Sequence, residues 1–165
     1  MKLFNILFLG SVLISVVSCG PIDNRKSFDD VTEYNDYIID NMNIIDEMYV
    51  TTLDVDKGKD YCLAQCDSLI VKSEETVALL NGIQPYDGDS TLAMAAKDFC
   101  NYMGKAGKKD LPDFINLVLK PELASEDESK INSEATKIDK NYEIQMDKVQ
   151  ATQKSFAKKF NFIIK

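Results

Sequence analysis

Apolar residues recur along this chain at intervals of three and four, and the rhythm breaks at a few places. From Phe28 to Leu53 the residues Val31, Tyr34, Ile38, Met42, Ile45, Tyr49 and Thr52 fall on one face of a helix. Asp29, Glu33, Asp36, Asp40 and Glu47 fall on the other, a solvated acidic stripe. Ser27 is a suitable N-cap for this helix, with Asp30 three residues on. A second helix is predicted from Val55 to Asn81, with Cys62, Cys66, Leu69, Ser73, Val77 and Leu80 inside and Asp54 or Asp56 as its N-cap. A third runs from Ser90 to Met103 through Leu92, Ala95, Ala96 and Phe99. A short helix, apolar nearly all round, follows from Pro112 to Leu119, with proline in its first turn. The last and longest is predicted from Ser125 to Phe160. Ser125-Glu126-Asp127-Glu128 reads as its capping box. Its seam runs through Ile131, Ala135, Ile138, Tyr142, Met146, Val149, Thr152, Phe156 and Phe160 to Ile163.

Prolines and glycines punctuate this pattern. Gly82 and Gly88 flank Pro85, and Gly104 and Gly107 precede Pro112, so both stretches are predicted to be breaks. The expected fold is all-α: an up-down-up-down four-helix bundle with a short extra helix between the third and last long helices, occupying residues 28–165. In such a bundle the first and last helices run antiparallel and can be neighbours. Residues 29–56 contain acids and no Lys or Arg, and residues 148–165 contain lysines and no acids. The expectation is that Asp29, Asp30 and Glu33 face Lys154, Lys158 and Lys159.

The amino terminus has a different pattern. Met1 and Lys2 precede an almost wholly apolar run, Leu3 to Val17, which reads as the charged and apolar parts of an export signal. As a helix this run reaches about 22 Å, short of a bilayer span. At its end, Val16-Val17-Ser18-Cys19 resembles a bacterial lipobox, with a small residue before the cysteine. It departs from that motif at Val17, where a small residue is preferred, and at Val16, where leucine is commonest. The resemblance implies that residues 1–18 are removed. Cys19 then carries a thioether-linked diacylglycerol and fatty acid such as palmitate, and becomes the first residue. Residues 19–27 are then the lipidated cysteine and a tether. Two or three acyl chains, each adding about 0.8 kcal/mol per buried CH₂, would hold such a protein on a membrane.

Composition narrows the chemistry. The chain carries a net charge of −8, and cleavage would remove one further positive charge, Lys2. Nucleic acid is therefore not an expected partner. With no histidine there is no Ser-His-Asp or Cys-His system and no His-based metal motif. No cofactor or metal is expected, and no catalytic residue is assigned. Cys62, Cys66 and Cys100 are buried reduced thiols, the source of one disulfide, permitted in an exported protein, or a metal or redox site, for which Cys-x-x-x-Cys alone is a weak signal. If the second and third helices turn near residue 85, Cys66–Cys100 is the better-placed pair and Cys62–Cys100 the alternative. Asp54, Asp56, Gly58 and Asp60 resemble a calcium loop, but glycine comes at position five instead of six and position twelve is Gln65. Tyr34, Tyr37, Tyr49 and Tyr61 could line a ligand cleft, although tyrosines at this spacing more often pack a bundle.

"EYNDYIIDNMNIIDEM", Glu33 to Met48, and the turn "GIQPYDGDS", Gly82 to Ser90, following a lipobox, resemble a family of uncharacterised surface lipoproteins of leptospires and the Bacteroides group. The resemblance implies a helical-bundle lipoprotein of the bacterial cell envelope, on the outer membrane, and it implies no activity. The expected function is a lipid-anchored binding or scaffolding module for an unknown envelope or host protein. The rival expectation is a small-ligand receptor or enzyme with a carboxylate or thiol site inside the bundle. Residues 20–24 include a single acid, Asp23, which does not choose between the periplasmic and the outward face.

Overall fold

The computed structural model describes residues 23–164. Their elements are α1 (Val31–Thr52), a single 3-10 turn (Val55–Lys57), α2 (Lys59–Asn81), α3 (Thr91–Lys108), α4 (Asp110–Val118) and α5 (Ser125–Phe160). Among the described residues there is no strand, and the all-α expectation holds. The inner faces are largely those that the periodicity predicts. Tyr34, Ile38, Met42, Ile45, Tyr49 and Thr52 are buried on α1, as are Cys62, Cys66, Leu69, Ser73 and Leu80 on α2.

Long-range contacts set the directions. Tyr34 packs on Phe156 with ring centroids 5.6 Å apart, and Tyr49 stacks on Tyr142 at 4.9 Å. The Tyr142 hydroxyl donates to Asp46 at 2.6 Å, and Gln153 donates to Asn35 at 3.0 Å. Rising numbers on α1 thus meet falling numbers on α5, so the two run antiparallel and meet through long side chains. Between α2 and α3, Ser73 lies against Gly104 and Lys97 donates to Asn81, again antiparallel. α3 touches α1, α2, α4 and α5, so it is the inner helix.

That position explains the largest departure from the predicted boundaries. α3 does not stop at Met103 but continues through Gly104 and Gly107 to Lys108. Both glycines are helical and buried against α2. A methyl group added at Gly107 would come within 3.0 Å of an Ile70 carbon and 3.2 Å of the Cys66 carbonyl oxygen. These glycines allow close helix contact, which outweighs their roughly 1 kcal/mol helix penalty relative to alanine.

The helix caps also differ from expectation. α1 begins at Val31, and its N-cap is Asp30 instead of Ser27: Oδ1 accepts from the Thr32 and Glu33 amides at 2.7 and 3.0 Å. Phe28 is left free to pack on Tyr34 and Tyr37. Neither Asp54 nor Asp56 caps α2; Gly58, with φ +89°, occupies that place, and the Asp54 carbonyl accepts the Cys62 thiol instead. At α5 the N-cap is Ala124, whose methyl cannot accept a bond. Only the return half of the box exists, with the Asp127 carboxylate accepting from the Ala124 amide at 3.0 Å. The seam of α5 ends at Phe160, because Asn161 turns into the left-handed region with φ +55°. Phe162 then packs on Phe156, and Ile163 is exposed.

Candidate functional site

The expected tether is partly fastened. The Lys26 amide donates to the Gly82 carbonyl and the Gln84 amide donates to the Lys26 carbonyl, both at 2.8 Å. The Gln84 side chain donates to the Asp23 carbonyl at 3.3 Å. Asp23 and Arg25 form an exposed ion pair. The Lys26 ammonium sits 3.9 Å from the centroid of the Tyr37 ring. Asp23–Lys26 is therefore a strap across the α2–α3 loop, a backbone pairing that side-chain periodicity cannot announce.

The strap borders a groove. Tyr37 and Met48 form a second stripe on α1, one position off the inner seam, with Ile44 between them 40% exposed. Opposite on α2, Val71 is 57% exposed and Leu79 44%. Between these stripes lies an open depression of about 670 Å³ that reaches from Asn24 and Lys26 past Tyr37 to Ala78, Leu79 and Glu75. A second depression of about 410 Å³ continues along α2 past Lys72 and Val71 to Asp67, with Met48 on the α1 side. Glu75 borders both and is paired with Lys72 at 3.3 Å. The floor is apolar and the charges stand at the rim, an arrangement suited to holding an apolar chain or face.

The α2–α3 loop beside the strap is built tightly. Tyr86 and Asp89 exchange backbone bonds across Asp87 and Gly88, both with positive φ, as in a type I′ turn. Asp89 then caps α3 from one residue before the N-cap, accepting from the Thr91 amide at 2.8 Å and its hydroxyl at 2.6 Å. It also pairs with Lys159 at 2.5 Å. Burial alone would raise the Asp89 carboxyl, but Lys159 and Thr91 outweigh it and hold the carboxyl below the usual range. The predicted partners of Lys159, Asp29, Asp30 and Glu33, do not reach it. Among the described residues neither Lys154 nor Lys158 forms an ion pair, so α1 and α5 are antiparallel neighbours without the expected charge contacts.

The three thiols are free and buried. The α2–α3 register places Cys66 opposite Gly107, not Cys100. Seven residues of helix separate those two positions, about 10 Å, beyond the Cα spacing of a disulfide. Neither the 66–100 nor the 62–100 bridge is formed. Burial pushes the Cys66 thiol up to about 11 and the Cys100 thiol up to about 12, and raises Cys62 as well. That is the opposite of the activation a nucleophilic cysteine needs. Of the four tyrosines, Tyr34 and Tyr49 are core residues, Tyr61 is exposed, and Tyr37 alone lines the groove. Among the described residues no three His, Cys, Asp or Glu side chains converge as a metal site, and no helix is long and apolar enough to cross a membrane. Cys19 and the export signal lie outside the described residues.

No family model matches the chain, and neither a curated protein nor a solved structure matches it.

Proposed function

We propose that the protein is a lipoprotein of the bacterial cell envelope, anchored on the outer membrane by acyl groups on Cys19, whose helical domain binds or scaffolds a partner and does not catalyse. The observation that carries this reading is the apolar run Leu3–Val17 ending in Val16-Val17-Ser18-Cys19, followed almost at once by the strap at Asp23. A lipid at Cys19 would therefore lie close to the domain, with only a few residues of slack. The antiparallel pairings of α1 with α5 and of α2 with α3 support an up-down-up-down four-helix bundle, with α4 as the short extra helix. The lipobox and the 82–90 turn support membership of the surface-lipoprotein family of leptospires and the Bacteroides group. The raised thiols support a binding role over thiol chemistry. The α1–α2 groove is the surface on which binding would occur. Metabolic labelling with a fatty acid tests the anchor. Label should enter the wild type and be lost in Cys19→Ala, with precursor accumulating; label retained in that variant would refute the assignment.

A further inference from the structure

The groove opens where the chain enters the domain. Asn24 and Lys26 stand at its mouth, and its floor from Tyr37 to Leu79 is apolar. Apolar side chain left against water is unfavourable in proportion to its area, so a groove of this kind favours an apolar occupant. It follows α2 from Gly82 to Asp67, about 22 Å at the rise of a helix. One leaflet of acyl chains, half of a bilayer's hydrocarbon core, is about 15 Å deep. A single fatty chain laid lengthwise therefore fits.

The chain outside the described residues ends in the right place to supply one. Cys19 is five residues before Asn24, and an extended chain of that length spans at most about 17 Å. Asn24 is itself a lining residue. An acyl chain starting at Cys19 thus begins within reach of the mouth, on a strap that the Lys26 pairing with Gly82 and Gln84 holds beside it. Lys72 and Glu75, at the waist, neutralise each other, and with side chains 33% and 58% exposed they have room to swing outward.

We propose that the α1–α2 groove receives one acyl chain of lipidated Cys19 when the protein is away from a bilayer. This rests on the reading that Cys19 is acylated. A bilayer surrounds an acyl chain on all sides, whereas the open groove covers part of it. The groove therefore wins against water and yields to a membrane. The anchor folds back on its own domain in aqueous transit and is released on arrival at lipid.

The test uses full-length protein matured in its own envelope with a photoreactive diazirine fatty acid, purified in detergent. One portion is transferred to lipid-free buffer and another to vesicles of phosphatidylethanolamine and phosphatidylglycerol before irradiation. In buffer, crosslinks are expected within one chain, to peptides spanning Tyr37–Met48 and Val71–Leu79. In vesicles they should pass to lipid. Val71→Asp with Leu79→Asp, its helix content checked by circular dichroism, should reduce the buffer crosslinks to background. Crosslinks between two chains, or mainly to α3 or α5, would overturn the proposal. Label at Cys19 without groove crosslinks would overturn it and leave the anchor intact, whereas absence of label from the Cys19 peptide would remove both.

Discussion

Each end of the helical bundle is closed by an aspartate that caps a helix and pairs with a lysine, yet the two pairs have different reach. At the end where the chain enters, Asp89 caps α3 and holds Lys159, seventy residues away in sequence. Around it Tyr34, Tyr86, Phe156, Phe160 and Phe162 interlock, with Phe156 2% exposed. At the opposite end, Asp127 accepts from the Ala124 amide and from Lys120, seven residues away. Lys120 and the Ala124 amide hold its carboxyl below the usual range. The same chemistry therefore ties two distant segments together at one end and only shapes the start of α5 at the other. A contact that spans long sequence distance is lost with tertiary structure, and a local one is lost with a helix turn.

The largest effects should come from the aromatic end. Phe156→Ala removes a ring that touches four others and should cost about 3–5 kcal/mol in urea unfolding. Ile138→Ala, buried farther along α5, should cost about 2–5 kcal/mol and leave the strapped end intact. Equal small losses at both would mean that α5 does not seal the core.

The two aspartates sharpen the comparison further. Asp89→Ala should cost about 1–2 kcal/mol, the loss of a capping side chain, because it also frees the loop from Lys159. Asp127→Ala should cost less and show itself as fraying of α5 near Ser125 in amide exchange. Acid should act on both ends. Each carboxyl has a folded value below the ordinary 3.8, so its contribution is complete above that value and is lost as pH falls through the folded one. Unfolding midpoints should therefore drop below about pH 4, and Asp89→Asn should flatten that drop more than Asp127→Asn. The reverse order would show that the local pair matters more.

The thiols test the α2–α3 register on which both ends depend. Denatured, unreduced protein should titrate three free thiols, and the native protein should react no faster than it opens, because all three are buried. One free thiol with a crosslinked peptide would break the register. The smallest effect belongs to Lys154 and Lys158. Reversing both charges should change stability by no more than about 0.5 kcal/mol, because neither is paired among the described residues. A larger loss would mean that the acidic start of α1 does engage them.

Periodicity revealed what side-chain burial repeats along a helix. The seams of α1 and α2 and the boundaries of α5 were readable for that reason. It misread Gly104 and Gly107 because a glycine that ends a helix and one that lets two helices touch look alike in a single chain. It missed Asp89 because that residue caps from outside the usual N-cap place, through a turn whose positive φ angles are set by Asp87 and Gly88. The groove was half legible. Tyr37, Ile44 and Met48 sit at helical spacing beside the inner seam, and an apolar second stripe of that kind is a signal for a covered or occupied face. What faces it on α2 depends on a register that no local pattern supplies. The proposed anchor is the reverse case: it rests on the pattern from Leu3 to Cys19 alone, which lies outside the described residues.

The central claim is that this domain hangs from a lipid on Cys19, and the mass of the amino-terminal peptide of the protein isolated from its own cells tests it most directly. The account predicts a peptide beginning at Cys19 and carrying a diacylglyceryl group. An unmodified cysteine, or a mature terminus at any other residue, would contradict it.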